Sequence, residues 1–263
     1  STLAGALAAI KLNIPVAHIE AGLREFDKTI PEEINKIVVD HISTILFPPS
    51  KTGVKNLKNE GINKNVHFIG DITLDLAKKI ASNKVSNIEC LKKFNLTAKN
   101  YYFFTMHRQK NTEDARRLKN ILNFLEEFNE KTIIFPIHPR TMKTIIQHNY
   151  FEKLQKNPFL KIIEPVGYFD SIVLINNAIK TITDSGGVIK ESYFLKTPCI
   201  IIDDTTEWVE TVEDGWSNIA GANKDRIFEE IRKNKIPTIH RNVYGNGQSG
   251  KKVIDILCRC LNE

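Results

Sequence analysis

The sequence predicts an α/β protein of parallel sheets covered by helices and divided into two units. Three observations carry that expectation. Short β-branched runs alternate with longer helical patterns from end to end, the order that builds parallel sheets. The runs are apolar on consecutive residues, Ile200-Ile201-Ile202 for example, as strands buried on both faces require. Polar, ionisable clusters follow three of these runs directly, at the strand carboxyl ends where open α/β sheets bind ligands.

Taken in order, Ser1–Ile10 reads as a buried helix with no strand ahead of it. Strands are expected at Ile14–Ile19, Ile45–Phe47, Val66–Ile69, Tyr101–Met106, Thr132–Ile137, Lys161–Glu164, Thr181–Thr183, Cys199–Ile202 and Asn218–Ala220. Asp75–Ile80 suggests a short helix, and the polar stretch Ser82–Asn87 a seam between Gly70 and Asn100. Glu113–Phe128 carries Leu118, Ile121, Leu122 and Leu125 at helical spacing, and Val188–Leu195 continues a glycine pair as a helix. Gln248–Leu261 is a last amphipathic helix on Val253, Ile254, Ile256 and Leu257. The expected division is residues 1–75, 76–240 as a complete doubly wound domain, and 241–263 as a tail. Three strands before the seam are few for a sheet that must bury both faces, so sequence upstream of Ser1 is expected.

The composition excludes several classes. Of 263 residues 41% are hydrophobic and 26% charged, ordinary for a globular chain. No apolar run approaches the roughly 18–20 residues of a membrane span, and no leader is evident, which gives a cytoplasmic expectation. The net charge of +6 is scattered over helix faces, at Lys51, Lys55 and Lys58 for instance, without a basic-aromatic cluster. It reads as surface charge containing a local site for an anionic ligand, not as a nucleic-acid footprint. Cys90, Cys199, Cys258 and Cys260 lack metal-site spacing, and Cys199 sits in an apolar run.

Chemistry gathers in three places. His18-Ile-Glu-Ala-Gly-Leu-Arg24 ends the first strand with the carboxylate of Glu20. Pro31, Glu32 and Glu33 then suit the first turn of a helix, where Glu33 reads as a cap. Two carboxylates near one substrate can divide acid and base work. His107 and Arg108 end the strand Tyr101–Met106, and both can donate to phosphate. His138-Pro139-Arg140 ends the next strand and reads as structural. The most specific segment is Thr183-Asp-Ser-Gly-Gly187, where Ser185, Gly186 and Gly187 present a hydroxyl and backbone N–H groups at a helix N-terminus. Glu191 lies one turn further on, within reach of a ribose hydroxyl.

Together with Pro31-Glu-Glu-Ile-Asn35, Asp40-His-Ile-Ser43, Glu164-Pro-Val-Gly-Tyr168, Asp204-Thr-Thr-Glu207 and Tyr244-Gly-Asn-Gly247, these segments resemble the non-hydrolysing UDP-N-acetylglucosamine 2-epimerases, in the family's order and nearly end to end. The resemblance implies two Rossmann-like doubly wound domains of the B-type glycosyltransferase kind, the first incomplete, with the C-terminal helix returning to the first domain. It implies an isomerase of polysaccharide biosynthesis that needs no nicotinamide or metal, a UDP-sugar as substrate and a homodimer. A proton leaves C2 of the sugar, UDP leaves C1, and UDP adds back with protonation on the opposite face. Glu20 and Glu32 align with the proton-handling carboxylates, and His107 with the histidine at the departing phosphate. Ser185, Gly186, Gly187 and Glu191 align with the UDP-binding turn and helix, Val166 with a uracil contact, and Arg24 with the substrate-binding set. Related activities remain open: epimerisation of UDP-diacetamido-glucuronate, hydrolysis to the free sugar, or nucleotide binding without catalysis.

The sequence also departs from the family. The family's catalytic Asp and phosphate-contacting loop fall upstream of Ser1, so the 263-residue chain by itself is expected to show little or no activity. Trp208 stands where an arginine is usual, and Lys190 where a glutamate is usual before Glu191. A tryptophan can stack on a base or sugar, but it cannot neutralise phosphate.

Overall fold

The computed structural model describes residues 1–260 and carries eight strands among them: β1 Ala17–Ile19, β2 Ile45–Phe47, β3 Tyr101–Thr105, β4 Thr132–Pro136, β5 Leu160–Ile163, β6 Thr181–Thr183, β7 Cys199–Ile201 and β8 Ser217–Ile219. The chain divides into two compact units, Ser1–Leu76 with the segment from Arg241 onward, and Ala77–His240.

In the second unit six parallel strands lie in the order β5-β4-β3-β6-β7-β8. The chain runs outward from β3 to one edge, returns to the centre, and runs outward from β6 to the other, so the order reverses between β3 and β6. That is the doubly wound arrangement, and it opens a crevice at the carboxyl ends of those two strands. The helix Ala115–Glu127 covers one face because Leu118, Ile121, Leu122 and Leu125 share a stripe, and each is at most 1% exposed. Burying such a side chain contributes about 1.5–3 kcal/mol. The helical run expected over Glu113–Phe128 is broken at Asp114, whose carboxylate caps the helix by accepting from the Arg116 and Arg117 amides.

In the first unit β1 and β2 pair in parallel. The third strand expected, Val66–Ile69, forms only a bridge at Leu46. Leu46 donates to Asn65 and accepts from His67, but the next rung needs an N–H from Pro48, which has none. The helix Ser249–Cys260 buries Val253 against Ile45, Phe47 and Ile69, while Ile254 faces outward. Its expected last residue, Leu261, lies outside the described residues.

Two further expectations change. The helix Thr2–Lys11 buries only Ala6 and leaves Leu7 and Ile10 exposed, because its face meets little besides the helix Pro31–Ile42. The polar stretch at the seam contains a helix, Lys84–Lys93, begun by the Asn83 side chain accepting from the Ser86 amide. The lysines at 51, 55 and 58 are solvated, as expected.

Cys90 and Cys199 are buried, while Cys258 and Cys260 are exposed. Burial pushes the Cys90 thiol up to about 12, helped by Asp170, and burial likewise pushes Cys199 up to about 12. Two thiols are therefore expected to react quickly with a disulfide reagent at pH 8 in the native protein, and four after denaturation. Fast reaction of all four in the native protein would contradict this burial. A raised thiol pKa also means that the stability these groups contribute is intact below the unfolded thiol's value, near 8.5, and is lost as pH rises toward 12.

Candidate active site

The residues singled out in the sequence fall in both units, Glu20, Arg24 and Glu32 in the first and the others in the second. In the second unit β3 and β6 pair with Thr105 beside Thr183, and their hydroxyls hydrogen-bond at 2.6 Å. The segments that follow them, His107-Arg108 and Asp184–Gly187, are thereby brought to one end of the sheet. Asp184 organises this end. It is fully buried, and its carboxylate accepts from the His107 amide at 3.0 Å, the Arg108 amide at 3.0 Å and the Asn111 side-chain amide at 3.0 Å. Asn111 also donates to the Ile202 carbonyl, which ties in the end of β7. The His107 side chain is 47% exposed above this network, with Nδ1 3.8 Å from Asp184.

Ser185 is the N-cap of the helix Gly186–Phe194, its hydroxyl accepting from the Val188 amide and its own amide donating to Thr183 Oγ1. Gly186 and Gly187 form the first turn, so their N–H groups belong to the positive end of the helix. A Cβ on Gly186 would sit 3.1 Å from Glu207 Oε1 and 3.2 Å from Trp208 Nε1, so a larger residue needs those side chains to give way by a few tenths of an ångström. Arg108 Nη1 donates to Asp203 at 3.1 Å. Glu191 is 7% exposed, in a helix whose residues from Val188 to Phe194 are all buried. Trp208 is only 2% exposed, so it offers no face for stacking on a base. Its ring instead receives the Lys190 ammonium at 4.9 Å. Val166 follows the edge strand β5, two strands away from β3. His138 accepts from the Arg140 amide through Nδ1 and caps the helix Pro139–Gln147, the structural part expected of it.

In the first unit Glu20 follows β1 in the left-handed region, at φ 66°. That conformation costs a non-glycine residue about 1–2 kcal/mol and is held only where the surroundings impose it. Two places on, Gly22 lies at φ 77°, where a Cβ would be 2.3 Å from the Gly53 carbonyl oxygen. Asp40, fully buried in the helix Pro31–Ile42, accepts from the Gly22 amide at 2.9 Å, from Arg24 at 2.7 Å and pairs with His18 Nδ1 at 2.6 Å. Pro31 takes the first position of this helix, as expected. Glu32 is exposed at the next position, whereas Glu33 is buried and accepts from the Glu25 and Phe26 amides. Glu33 therefore fastens the preceding loop and not the N-terminus of its own helix.

Arg24 differs most from its expected part. Its guanidinium is buried, grips Glu60 through two hydrogen bonds at 2.7 and 2.8 Å, pairs with Asp40, and donates to the Leu23 carbonyl. Burial opposes its charge, but Glu60 and Asp40 outweigh that and raise its pKa. With its donors engaged inward, Arg24 shapes the loop from within instead of presenting an open cation to a substrate. Among the described residues no group of three or more His, Cys, Asp or Glu is arranged to hold a metal ion.

Sequence reasoning passed over Asp40 and Asp184. Both lie in the segments that carried the resemblance, but their importance appears only when their distant hydrogen-bond donors are seen.

A profile of the UDP-N-acetylglucosamine 2-epimerase family matches residues 1–258. A UDP-N-acetylglucosamine 2-epimerase homolog from Methanococcus maripaludis is 49% identical over 259 residues, covering 98% of this chain and 72% of that protein. The UDP-2,3-diacetamido-2,3-dideoxy-D-glucuronate 2-epimerase of Pseudomonas aeruginosa is 40% identical over 266 residues, again covering 98% of this chain and 72% of that protein. Among solved structures, the Methanocaldococcus jannaschii UDP-GlcNAc 2-epimerase in complex with UDP-GlcNAc and UDP superposes with a TM-score of 0.91 at 43% identity, over 98% of this chain and 73% of that one. Matched from end to end in sequence and in fold, the chain belongs to the UDP-N-acetylglucosamine 2-epimerase family.

Proposed function

We infer that the chain is the bulk of an epimerase that inverts C2 of a UDP-linked 2-acetamido sugar, converting UDP-N-acetylglucosamine to UDP-N-acetylmannosamine. The observation that carries this reading is the match, at 43% identity and a TM-score of 0.91, to an epimerase holding UDP-GlcNAc and UDP. The site adds a physical basis. The helix N-terminus at Ser185–Gly187 suits the diphosphate, since its N–H groups and dipole favour negative charge. His107, exposed beside it, suits the oxygen that gains charge as the C1–O bond breaks. Glu20 and Glu32 supply the carboxylates for the proton at C2. One takes it as the electron pair moves toward C1 and UDP departs; on return, a proton is delivered to the opposite face and UDP adds back at C1. Glu191 and Val166 complete the nucleoside contacts, and Arg24 and Asp40 hold the loop that carries Glu20.

Proton NMR of the full-length protein with UDP-N-acetylglucosamine tests the reaction. UDP-N-acetylmannosamine is the expected product. Free sugar with stoichiometric UDP would replace this reading with a hydrolase, and turnover of UDP-diacetamido-glucuronate alone would favour the specificity of the Pseudomonas relative. Glu20→Gln is expected to lower kcat by about 10²–10⁴-fold while UDP affinity, measured by calorimetry, changes little. A homodimer is proposed from the family resemblance, to be checked by sedimentation. Among the described residues no helix is long and apolar enough to cross a membrane, and the cytoplasm is the proposed compartment.

A further inference from the structure

Glu20 is one of the left-handed non-glycine residues of the first unit, with Asn13, Phe26 and Asn65. A glutamate in the left-handed region at φ 66° is uncommon, and the residue two places on, Gly22, is left-handed as well at φ 77°. Backbone strain of this kind persists where neighbouring groups impose it, and it clusters at functional sites. The imposing groups can be named. Gly22 is wedged against the Gly53 carbonyl, with Asn56 donating to the Gly22 carbonyl at 2.9 Å. On the other side its amide donates to Asp40 Oδ2 at 2.9 Å. The same carboxylate is bonded to His18 at 2.6 Å, two residues before Glu20, and to Arg24 at 2.7 Å, four residues after it. One buried carboxylate thus grips the chain on both sides of Glu20.

We propose that Asp40 is a positioning residue for the epimerisation: it fixes the direction of the Glu20 carboxylate by bonding His18, Gly22 and Arg24 around it. The inference rests on the reading of Glu20 as a proton-handling group. It follows from the chemistry of the acceptor. All three partners reach Asp40 as donors, so both carboxylate oxygens are needed. An amide in the same place would turn an N–H₂ group toward one of the donors, and the turn would relax from its strained form. Misplacing a reacting group by about 1 Å costs on the order of a hundredfold in rate. The effect belongs in kcat, because the diphosphate grip lies on residues of the second unit.

The test is a double-mutant cycle in the full-length protein with Asp40→Asn, Glu20→Gln and the pair, followed by the rate of epimerisation and by calorimetry with UDP. Asp40→Asn is expected to lower kcat about a hundredfold with KM and UDP affinity held within threefold. The pair is expected to be no slower than Glu20→Gln alone, since a misaimed carboxylate that is already disabled has nothing further to lose. Should Asp40→Asn fold poorly, His18→Phe removes a single donor and keeps the ring volume; about a tenfold loss of kcat, again absent on the Glu20→Gln background, is the expected result. An equal loss on both backgrounds, or a parallel loss of UDP affinity, overturns the proposal. Full activity of Glu20→Gln by itself would instead remove the reading of Glu20 on which the proposal stands.

Discussion

Asp184→Ala is expected to unfold the second unit at a markedly lower temperature and to weaken UDP binding at the same time. The carboxylate is fully buried and accepts from two backbone amides and the Asn111 side chain. Removing it leaves three donors, one buried and two part-buried, without that acceptor, and on the scale of breaking a buried network a loss of about 3–5 kcal/mol is expected. In a unit of this size that corresponds to a fall in Tm of roughly 6–20 °C. The binding effect has the same origin. The segments after β3 and β6 are aligned by this carboxylate, and once it is gone His107 and the Ser185–Gly187 turn lose their common frame. Calorimetry is expected to show UDP affinity falling about 10- to 100-fold, a positioning loss of the size seen when a binding group is misplaced by an ångström. A Tm within 2 °C of the parent would show that the network contributes little.

The second large effect is expected at Gly22→Ala. The added Cβ would meet the Gly53 carbonyl oxygen at 2.3 Å and the Leu57 side chain at 2.9 Å, and the residue must keep φ 77°. The left-handed conformation costs alanine about 1–2 kcal/mol and the overlap about 1–3 kcal/mol more, so the first unit is expected to lose about 2–5 kcal/mol. Denaturant unfolding measures that loss. Because Gly22 also donates to Asp40, activity is expected to fall even at temperatures where the variant stays folded. Normal stability in Gly22→Ala would mean that the loop from Ala21 to Arg24 shifts freely, which its burial contradicts.

Much of the architecture was legible because strands buried on both faces announce themselves as apolar runs. Seven of the eight strands match an expected run to within one residue at either end, while β1 keeps only the last three residues of the run Ile14–Ile19. The ninth run failed for a reason that lies in its partner: Val66–Ile69 has strand composition, but Pro48 cannot donate the rung that would extend the ladder. The helix Lys84–Lys93 was hidden by its own polarity, since Asn83 and Ser86 read as loop until the cap between them is seen. At the site, the clusters were visible as ionisable residues following apolar runs. Asp40 and Asp184 were not singled out because their donors are remote in sequence: Gly22 lies 18 residues from Asp40, and Asn111 lies 73 from Asp184. Arg24 and Trp208 misled in the opposite direction. Arginine and tryptophan are residues that greet ligands, but here Glu60 and Asp40 hold the one inward and the Lys190 ammonium sits over the buried ring of the other.

The single carboxylate shared by the two central strand ends bears on how such an enzyme can change. Because Asp184 serves the His107 and Arg108 amides while its neighbour Ser185 opens the helix, the segments after β3 and β6 cannot be retuned one piece at a time. A substitution there alters the whole grip together. A change of sugar preference is then expected to be reached most readily through residues outside the Asp184 frame.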